Sequence, residues 1–451
     1  MHYNVAIIGG GPGGYTAAAH AAAGGSVVLF ERSALGGTCL NRGCIPTKAL
    51  LHASELYGSI SRAEAVGVRA EGVSYDFAAM HRRKNQVVET LRQGVEKQMK
   101  AGKITVVQGS AKLLGGGRIA CGGKEWMADD IIIAAGSVPA IPPIVGAEKC
   151  CTSDDLLEGE GKNFSSLVII GGGVIGVECA SIYLPLGCRV TILEMAPQLL
   201  PSMDREIAQR LAVSLKKQGA AVETQAAVQS VTETDGALTV SYFDKKGAEH
   251  SVTAEGVLMA TGRRACLDGL FAEGAEPKLE RGAVAADAEG RTSVPHLYVI
   301  GDARAGNIQL AHVAAAQGEN VAALLSGREK PVDETLVPSC VYTSPEIASV
   351  GLSEEAAKAA GIAVKTGKCL TGTNGKCLIE DAAAGYVKLV AESESGRLLG
   401  AQLVCPRATD MIAELALAVQ RGVTAAQLAA VIHPHPTFSE MICAAASSLA
   451  E

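Results

Sequence analysis

Aromatic side chains are scarce in this chain. Trp, Tyr and Phe make up 4% of its 451 residues, with a single Trp. Its core must therefore be built from aliphatic residues. With 48% hydrophobic residues and 52 Gly, the texture is that of a Gly- and Ala-rich α/β protein rather than an all-β one. Long apolar runs are missing too. None approaches the ~18 residues of a membrane-crossing helix. Dense positive charge is also lacking. The net charge is −7, and the short Arg82-Arg83-Lys84 run is no footprint for DNA, RNA or an anionic membrane. The start, Met1-His2-Tyr3-Asn4, enters a strand pattern at once, so no signal or transit segment is expected ahead of the fold. The 13 Cys are odd in number and scattered. That suits a reducing cytoplasm better than a secreted disulfide framework. Most are expected as small buried hydrophobes. Cys150-Cys151 has no His or further Cys near enough to complete a site, and no metal is expected.

What is present is ordered. Residues 5–8 (Val-Ala-Ile-Ile) are an apolar run of strand length. Gly9-Gly10-Gly11-Pro12-Gly13-Gly14 follows, then an Ala-rich helix predicted over 15–23 and a strand over 27–30 ending in Glu31. The pattern recurs at residues 167–170, Gly171 to Gly176, a helix, and a strand over 189–193 ending in Glu194. Two dinucleotide-binding βαβ units therefore lie in tandem. In each, the first Gly (Gly9, Gly171) permits the tight turn. The second (Gly11, Gly173) lets a pyrophosphate approach the backbone, and the third (Gly14, Gly176) lets helix and strand pack closely. Glu31 and Glu194 stand where a ribose hydroxyl acceptor belongs. A carboxylate at 194, with no Arg in Met195-Ala196-Pro197, favours NAD over NADP.

The run Gly36-Gly37-Thr38-Cys39-Leu40-Asn41-Arg42-Gly43-Cys44-Ile45-Pro46-Thr47-Lys48 carries the chemistry. In an undistorted helix the two Cys Cα atoms would lie roughly 8 Å apart, beyond the ~7 Å limit for a disulfide. A bridge needs a bent or irregular first turn, which Gly36, Gly37 and Gly43 allow. A helix N-terminus there would favour thiolate. A thiol pair beside a nucleotide site, with a second nucleotide site further on, implies two-electron traffic. Flavin exchanges electrons with sulfur and with a nicotinamide, hence FAD at the first site and NAD at the second. Elsewhere, a long amphipathic helix is predicted over about 76–101, a domain crossing at Pro139, Pro142 and Pro143, and a region of different texture from about 331 with helices over 411–421 and 424–431.

These runs together resemble the pyridine nucleotide–disulfide oxidoreductases over nearly the whole chain, closest to the members that act on lipoamide. The resemblance rests on residues 36–48 and on Gly-Gly-Gly-Val-Ile-Gly-Val-Glu at 171–178. It rests further on Ala-Thr-Gly-Arg at 260–263, Ile-Gly-Asp at 300–302, Leu-Ala-His at 310–312, Val-Tyr-Thr-Ser-Pro-Glu at 341–346 and His-Pro-Thr-Phe-Ser-Glu at 435–440. It implies an α/β fold of two Rossmann-like domains plus a C-terminal α+β dimerisation domain. The expected bounds are an FAD domain over 1–143, an inserted NAD domain over 144–262, a central domain over 263–334 completing the FAD site, and an interface domain over 335–451.

The resemblance also implies roles. Cys39 is the interchange thiol that meets substrate, and Cys44 lies against the flavin. Lys48 sits near the flavin and pairs with Glu178. Asp302 bonds the ribityl chain, while Gln309, Leu310, Ala311 and His312 line the flavin's other side. Thr38, Ala111, Ala135 and Gly136 approach FAD, and Val228 and Gly262 touch NAD. His435 is the acid/base, held by Glu440 and supplied by the partner subunit of a homodimer. His433 is taken as structural. The implied reaction is oxidation of a dihydrolipoyl group on a carrier domain of a 2-oxoacid dehydrogenase complex or a glycine cleavage system, with NAD as acceptor. A histidine titrating near neutrality suits removal of a thiol proton.

Alternatives of the same fold are glutathione-type and mercuric reductases, and one of a different class is a non-catalytic flavoprotein. Glu194, with Pro12 and Tyr15, speaks against the first. The tail 447–451, without a vicinal Cys pair, speaks against the second, and the intact Cys39, Cys44, Lys48, His435 and Glu440 against the third. Three departures from the family pattern stand out: Pro185 where the second nucleotide helix should be finishing, Ala135 where Thr is usual, and no Pro-Asn after Arg263-Arg264.

Overall fold

The structure, a computed structural model, describes residues 2–382 and 384–450. It opens with strand β1 (His2–Ile8), helix α1 (Pro12–Ala21) and strand β2 (Val27–Glu31). All five residues of β2 are buried, as a strand covered on both faces of a parallel sheet requires. α1 begins three residues before the predicted start and ends two before the predicted end, because Pro12 is preorganised for a first helical turn.

Next come α2 (Gly37–Arg42), α3 (Cys44–Arg62), α4 (Phe77–Ala101) and β3 (Thr105–Gln108). The Asp76 side chain caps α4 by accepting from the Ala79 N–H at 2.9 Å. An antiparallel pair, β4 (Lys112–Gly115) and β5 (Arg118–Cys121), leads into β6 (Lys124–Ile133). β6 is long because residues 124–126 pair only with β5, while the parallel pairing with β1 starts at Met127. Its second half lies between β1 and the later strand Leu297–Val299, both parallel to it. The first nucleotide sheet thus runs β3-β2-β1-β6, and the chain returns to it after the second unit.

The second nucleotide unit is a five-stranded parallel sheet ordered Ala221–Thr224, Arg189–Glu194, Ser166–Ile170, Gly256–Met259, Cys151–Thr152. A three-stranded antiparallel layer over 227–254 packs beside it. The two strands that cross between the units, Ser137–Pro139 and Arg263–Ala265, pair antiparallel. Pro185 lies in a single 3₁₀ turn, Leu184–Leu186, directly after the helix Val174–Tyr183. It ends that helix rather than kinking it.

The C-terminal sheet is antiparallel, ordered Ser339–Val341, Ile347–Gly351, Leu398–Val404, Tyr386–Glu392, Val364–Leu370. Helices Ala408–Gln420 and Glu440–Ala450 share its apolar core. The first of these starts three residues before the predicted 411. The next helix is Ala425–Ala429, with Thr424 outside it as a cap accepting from the Gln427 N–H. Buried Lys388 joins this sheet to the second nucleotide unit, through Asp204 at 3.0 Å and Glu206 at 3.3 Å.

Candidate active site

The redox pair is placed by glycine. Gly36 and Gly37 take left-handed backbone, φ 101° and 59°, which a β-carbon would disfavour. The second packs its Cα face onto Gly11. Helix α2 then stops at Gly43, whose φ and ψ of −143° and −113° are not helical. That break brings the Cα atoms of Cys39 and Cys44 to 4.7 Å, and their sulfurs are bonded. Asn41 Nδ2 braces the turn, donating to the carbonyls of Gly37 at 2.9 Å and Leu35 at 3.0 Å. Cys44 is the first residue of the 19-residue α3. Unpaired N–H groups at that end favour an anionic sulfur.

The pair opens on a continuous cavity of about 1430 Å³ that runs past both glycine turns. Gly9, Gly11, Glu31, Thr38, Lys48, Ala111, Ala135 and Gly136 line one part, with Asp302 and residues 309–312. Gly171, Gly173, Glu178, Glu194, Val228 and Gly262 line the rest. Gly14 and Gly176 lie beneath the turns instead. A β-carbon on either would overlap the carbonyl oxygen of Gly9 or Gly171, so these glycines let helix and strand touch.

The two nucleotide sites are near copies. Glu31 accepts from the N–H groups of Gly10 and Ser33, both at 2.7 Å. Glu194 accepts from those of Gly172 and Ala196, both at 2.6 Å. Each carboxylate is buried and held in one orientation by main chain, with lone pairs left for a ribose hydroxyl. Each following helix starts at a glycine with no side-chain cap, Gly11 or Gly173. Its first N–H groups need an outside acceptor, and a pyrophosphate supplies one. The residues present therefore fit a dinucleotide at each turn.

Arg263 is the residue that the sequence reading passed over. Its guanidinium lines the cavity with 11% exposure. It donates to Ser137 Oγ and to the Ser137 carbonyl at 2.8 Å each, and approaches Thr38 Oγ1 at 3.4 Å and Asp154 at 3.5 Å. Ser137 Oγ in turn donates to Asp302 at 2.5 Å. A buried guanidinium beside the uncapped start of α2 is where a phosphate's charge would be met. The signal stood in Ala-Thr-Gly-Arg at 260–263, but its partners are far away in sequence.

Beyond the disulfide, Lys48 Nζ meets Glu178 at 2.7 Å. His312 Nε2 lies 2.9 Å from the Pro338 carbonyl. Cys179, Cys266 and Cys340 also line this cavity, and two of them are poor rivals. Burial pushes Cys179 up to about 12, and Cys340 up to about 11. Off the cavity, burial and the Asp155 charge push Cys151 up to about 12. Thiols so raised remain protonated and unreactive. No cluster able to hold a metal ion occurs among the described residues.

His435 and Glu440 lie elsewhere, outside the cavity lining of the single chain. His435 is 79% exposed, and its Nδ1 is 2.9 Å from Glu440. The other Glu440 oxygen accepts from the Thr437 N–H at 2.8 Å. That bond first, then His435, holds the Glu440 carboxyl below its usual range. His433 contrasts with it: its ring is 6% exposed and faces Glu414 at 3.1 Å.

Known proteins share this arrangement. Residues 3–318 match the family model described as pyridine nucleotide-disulphide oxidoreductase, and residues 337–446 match that family's dimerisation domain. A dihydrolipoyl dehydrogenase of Bacillus subtilis (strain 168) is 40% identical, across 98% of this chain and 97% of its own. One from Geobacillus stearothermophilus is 39% identical, across 98% and 94%. Among solved structures, the HOCl-induced flavoprotein disulfide reductase RclA from Escherichia coli superimposes with a TM-score of 0.88, at 28% identity and 99% coverage of both chains. The bonded Cys39–Cys44 pair between two glycine turns and these full-length matches agree, and the chain belongs to the pyridine nucleotide–disulphide oxidoreductases.

Proposed function

We propose that the protein is a dihydrolipoyl dehydrogenase, oxidising a carrier-bound dihydrolipoyl group to its disulfide and reducing NAD to NADH. The observation that carries this is the bonded Cys39–Cys44 pair, in one cavity with two dinucleotide cradles. We divide the chain near 143, 262 and 334, close to the paired crossing strands and the start of the C-terminal sheet.

The first substrate thiol gives its proton to solvent and, as thiolate, attacks Cys39 Sγ. The Cys39–Cys44 bond breaks, a mixed disulfide forms at Cys39, and Cys44 departs as thiolate at the N-terminus of α3. The second substrate thiol loses its proton to His435 of the partner subunit and attacks the substrate sulfur bonded to Cys39. The cyclic disulfide leaves, and Cys39 departs as thiol by taking the proton that His435 received. The substrate has lost two electrons and two protons, and the Cys pair has gained two electrons. When bound, FAD supplies a ring that takes these electrons from sulfur, and NAD supplies the final hydride acceptor. Gly9, Gly11, Glu31, Arg263 and Asp302 would hold the first nucleotide. Gly171, Gly173, Glu194, Val228 and Gly262 would hold the second.

The exposed His435, bound to Glu440 and carried on a dimerisation domain, supports a homodimer in which each histidine serves the other chain. The carrier would be the lipoyl domain of a 2-oxoacid dehydrogenase complex or of a glycine cleavage system. Eleven cysteines remain free, which supports work in a reducing cytoplasm. A broader disulfide reductase is the second reading, favoured by the likeness to the Escherichia coli enzyme. Glu194 and the higher identity to dihydrolipoyl dehydrogenases favour the first. Steady-state NAD reduction decides between them. Dihydrolipoamide should drive it and glutathione should not; the reverse pattern would overturn the assignment.

A further inference from the structure

Lys48 lies one turn beyond Cys44 on the same side of α3. Its ammonium meets Glu178, a carboxylate with 6% side-chain exposure, while Lys48 itself keeps 30%. A lysine that open has many rotamers to choose among. Tyr342 removes this freedom from two directions. Its main-chain N–H donates to Glu178 Oε1 at 3.0 Å, on the oxygen that Lys48 does not use. Its ring takes the Lys48 ammonium on its face, 4.5 Å from Nζ to the ring centroid. That is cation–π range. Tyr342 directly follows the strand Ser339–Val341 of the C-terminal sheet. The region matching the dimerisation domain thus reaches into the cavity wall.

We infer that Tyr342 is a positioning residue, gripping both members of the Lys48–Glu178 pair and so fixing the ammonium beside the Cys44 sulfur. This rests on the redox role proposed for Cys44. A fixed cation close by favours thiolate over thiol, and a mobile one does so less. The groups in contact with Lys48 are Glu178 and Tyr342, and its charge also reaches the thiols of Cys340 and Cys179. Both thiols stay neutral, so Glu178 and Lys48 supply the local charge.

The test uses the flavin-loaded enzyme reduced by one equivalent of dithiothreitol without oxygen. The pH midpoint of its long-wavelength absorbance reports the Cys44 thiolate. Position 342 is filled with Phe, 3,5-difluorophenylalanine and pentafluorophenylalanine, which hold shape while draining the ring face of negative charge. Phe should keep the parent midpoint. The fluorinated rings, and Tyr342→Leu, should raise it by about half to one pH unit, a three- to tenfold loss of thiolate. In a Lys48→Met background the same series should be flat. A flat series with Lys48 present overturns the inference, as does an equal climb without Lys48. Absorbance that persists in Cys44→Ser would instead remove the Cys44 assignment itself.

Discussion

His435 and Glu440 pair at 2.9 Å on an open surface, while the disulfide they would serve faces an internal cavity that neither residue lines. If the base comes from a second chain, activity is a property of the dimer. His435→Gln should cut dihydrolipoamide oxidation by roughly a hundred- to ten-thousandfold, the range of a lost general base. Mixed dimers of His435→Gln and Cys44→Ser subunits should then regain turnover, because one of their two sites is intact. Mixed dimers as inactive as either parent would place the histidine in the same chain as its cysteines.

Cys44→Ser removes the sulfur that begins α3 but leaves both glycine turns in place. The variant should purify yellow, with a full complement of flavin, and should not oxidise dihydrolipoamide. Absorbance spectra and the NAD assay check both halves. Loss of flavin would make Cys44 a structural residue.

Glu194 is held by the N–H groups of Gly172 and Ala196, so its charge stands in one place. Glu194→Arg should shift the kcat/KM ratio from NAD toward NADP by roughly ten- to a hundredfold, the worth of a charged hydrogen bond. An unchanged ratio would show that this carboxylate does not read the ribose.

Gly176 lies beneath the second glycine turn only. Its β-carbon would overlap the Gly171 carbonyl, so Gly176→Ala must push helix and strand apart. Such overpacking typically costs about 1–3 kcal/mol. The variant should keep its flavin but bind NAD on the order of tenfold or more weakly. Isothermal titration with NAD⁺ would read the second effect, and normal NAD affinity would contradict the packing argument.

His81 is fully buried on α4 beside Lys84, with Nε2 lacking a hydrogen-bond partner. Burial first, then the Lys84 charge, lowers its pKa from 6.5 to about 4. The folded protein therefore binds this proton later than the unfolded chain does. Stability from this group is complete above pH 6.5 and is lost as pH falls toward 4. At pH 5 the loss should be about 2 kcal/mol relative to pH 7. Urea midpoints at both pH values, compared with His81→Leu, isolate the contribution. Equal pH sensitivity in both proteins would refute it.

The sequence by itself determined the two nucleotide units, the pairing of each glycine turn with its acidic residue, and the need for a broken helix at residues 39–44. Those features are local. Strand, turn and helix lie within about thirty residues, and a glycine's freedom does not depend on distant contacts. One miss was also local: α1 starts early because Pro12 opens it. Only tertiary structure put Arg263 beside Thr38 and Ser137, or Tyr342 over Lys48. Those contacts span more than a hundred residues, and no period or spacing encodes them. They arise when sheets stack and cores close, which burial over the whole chain decides.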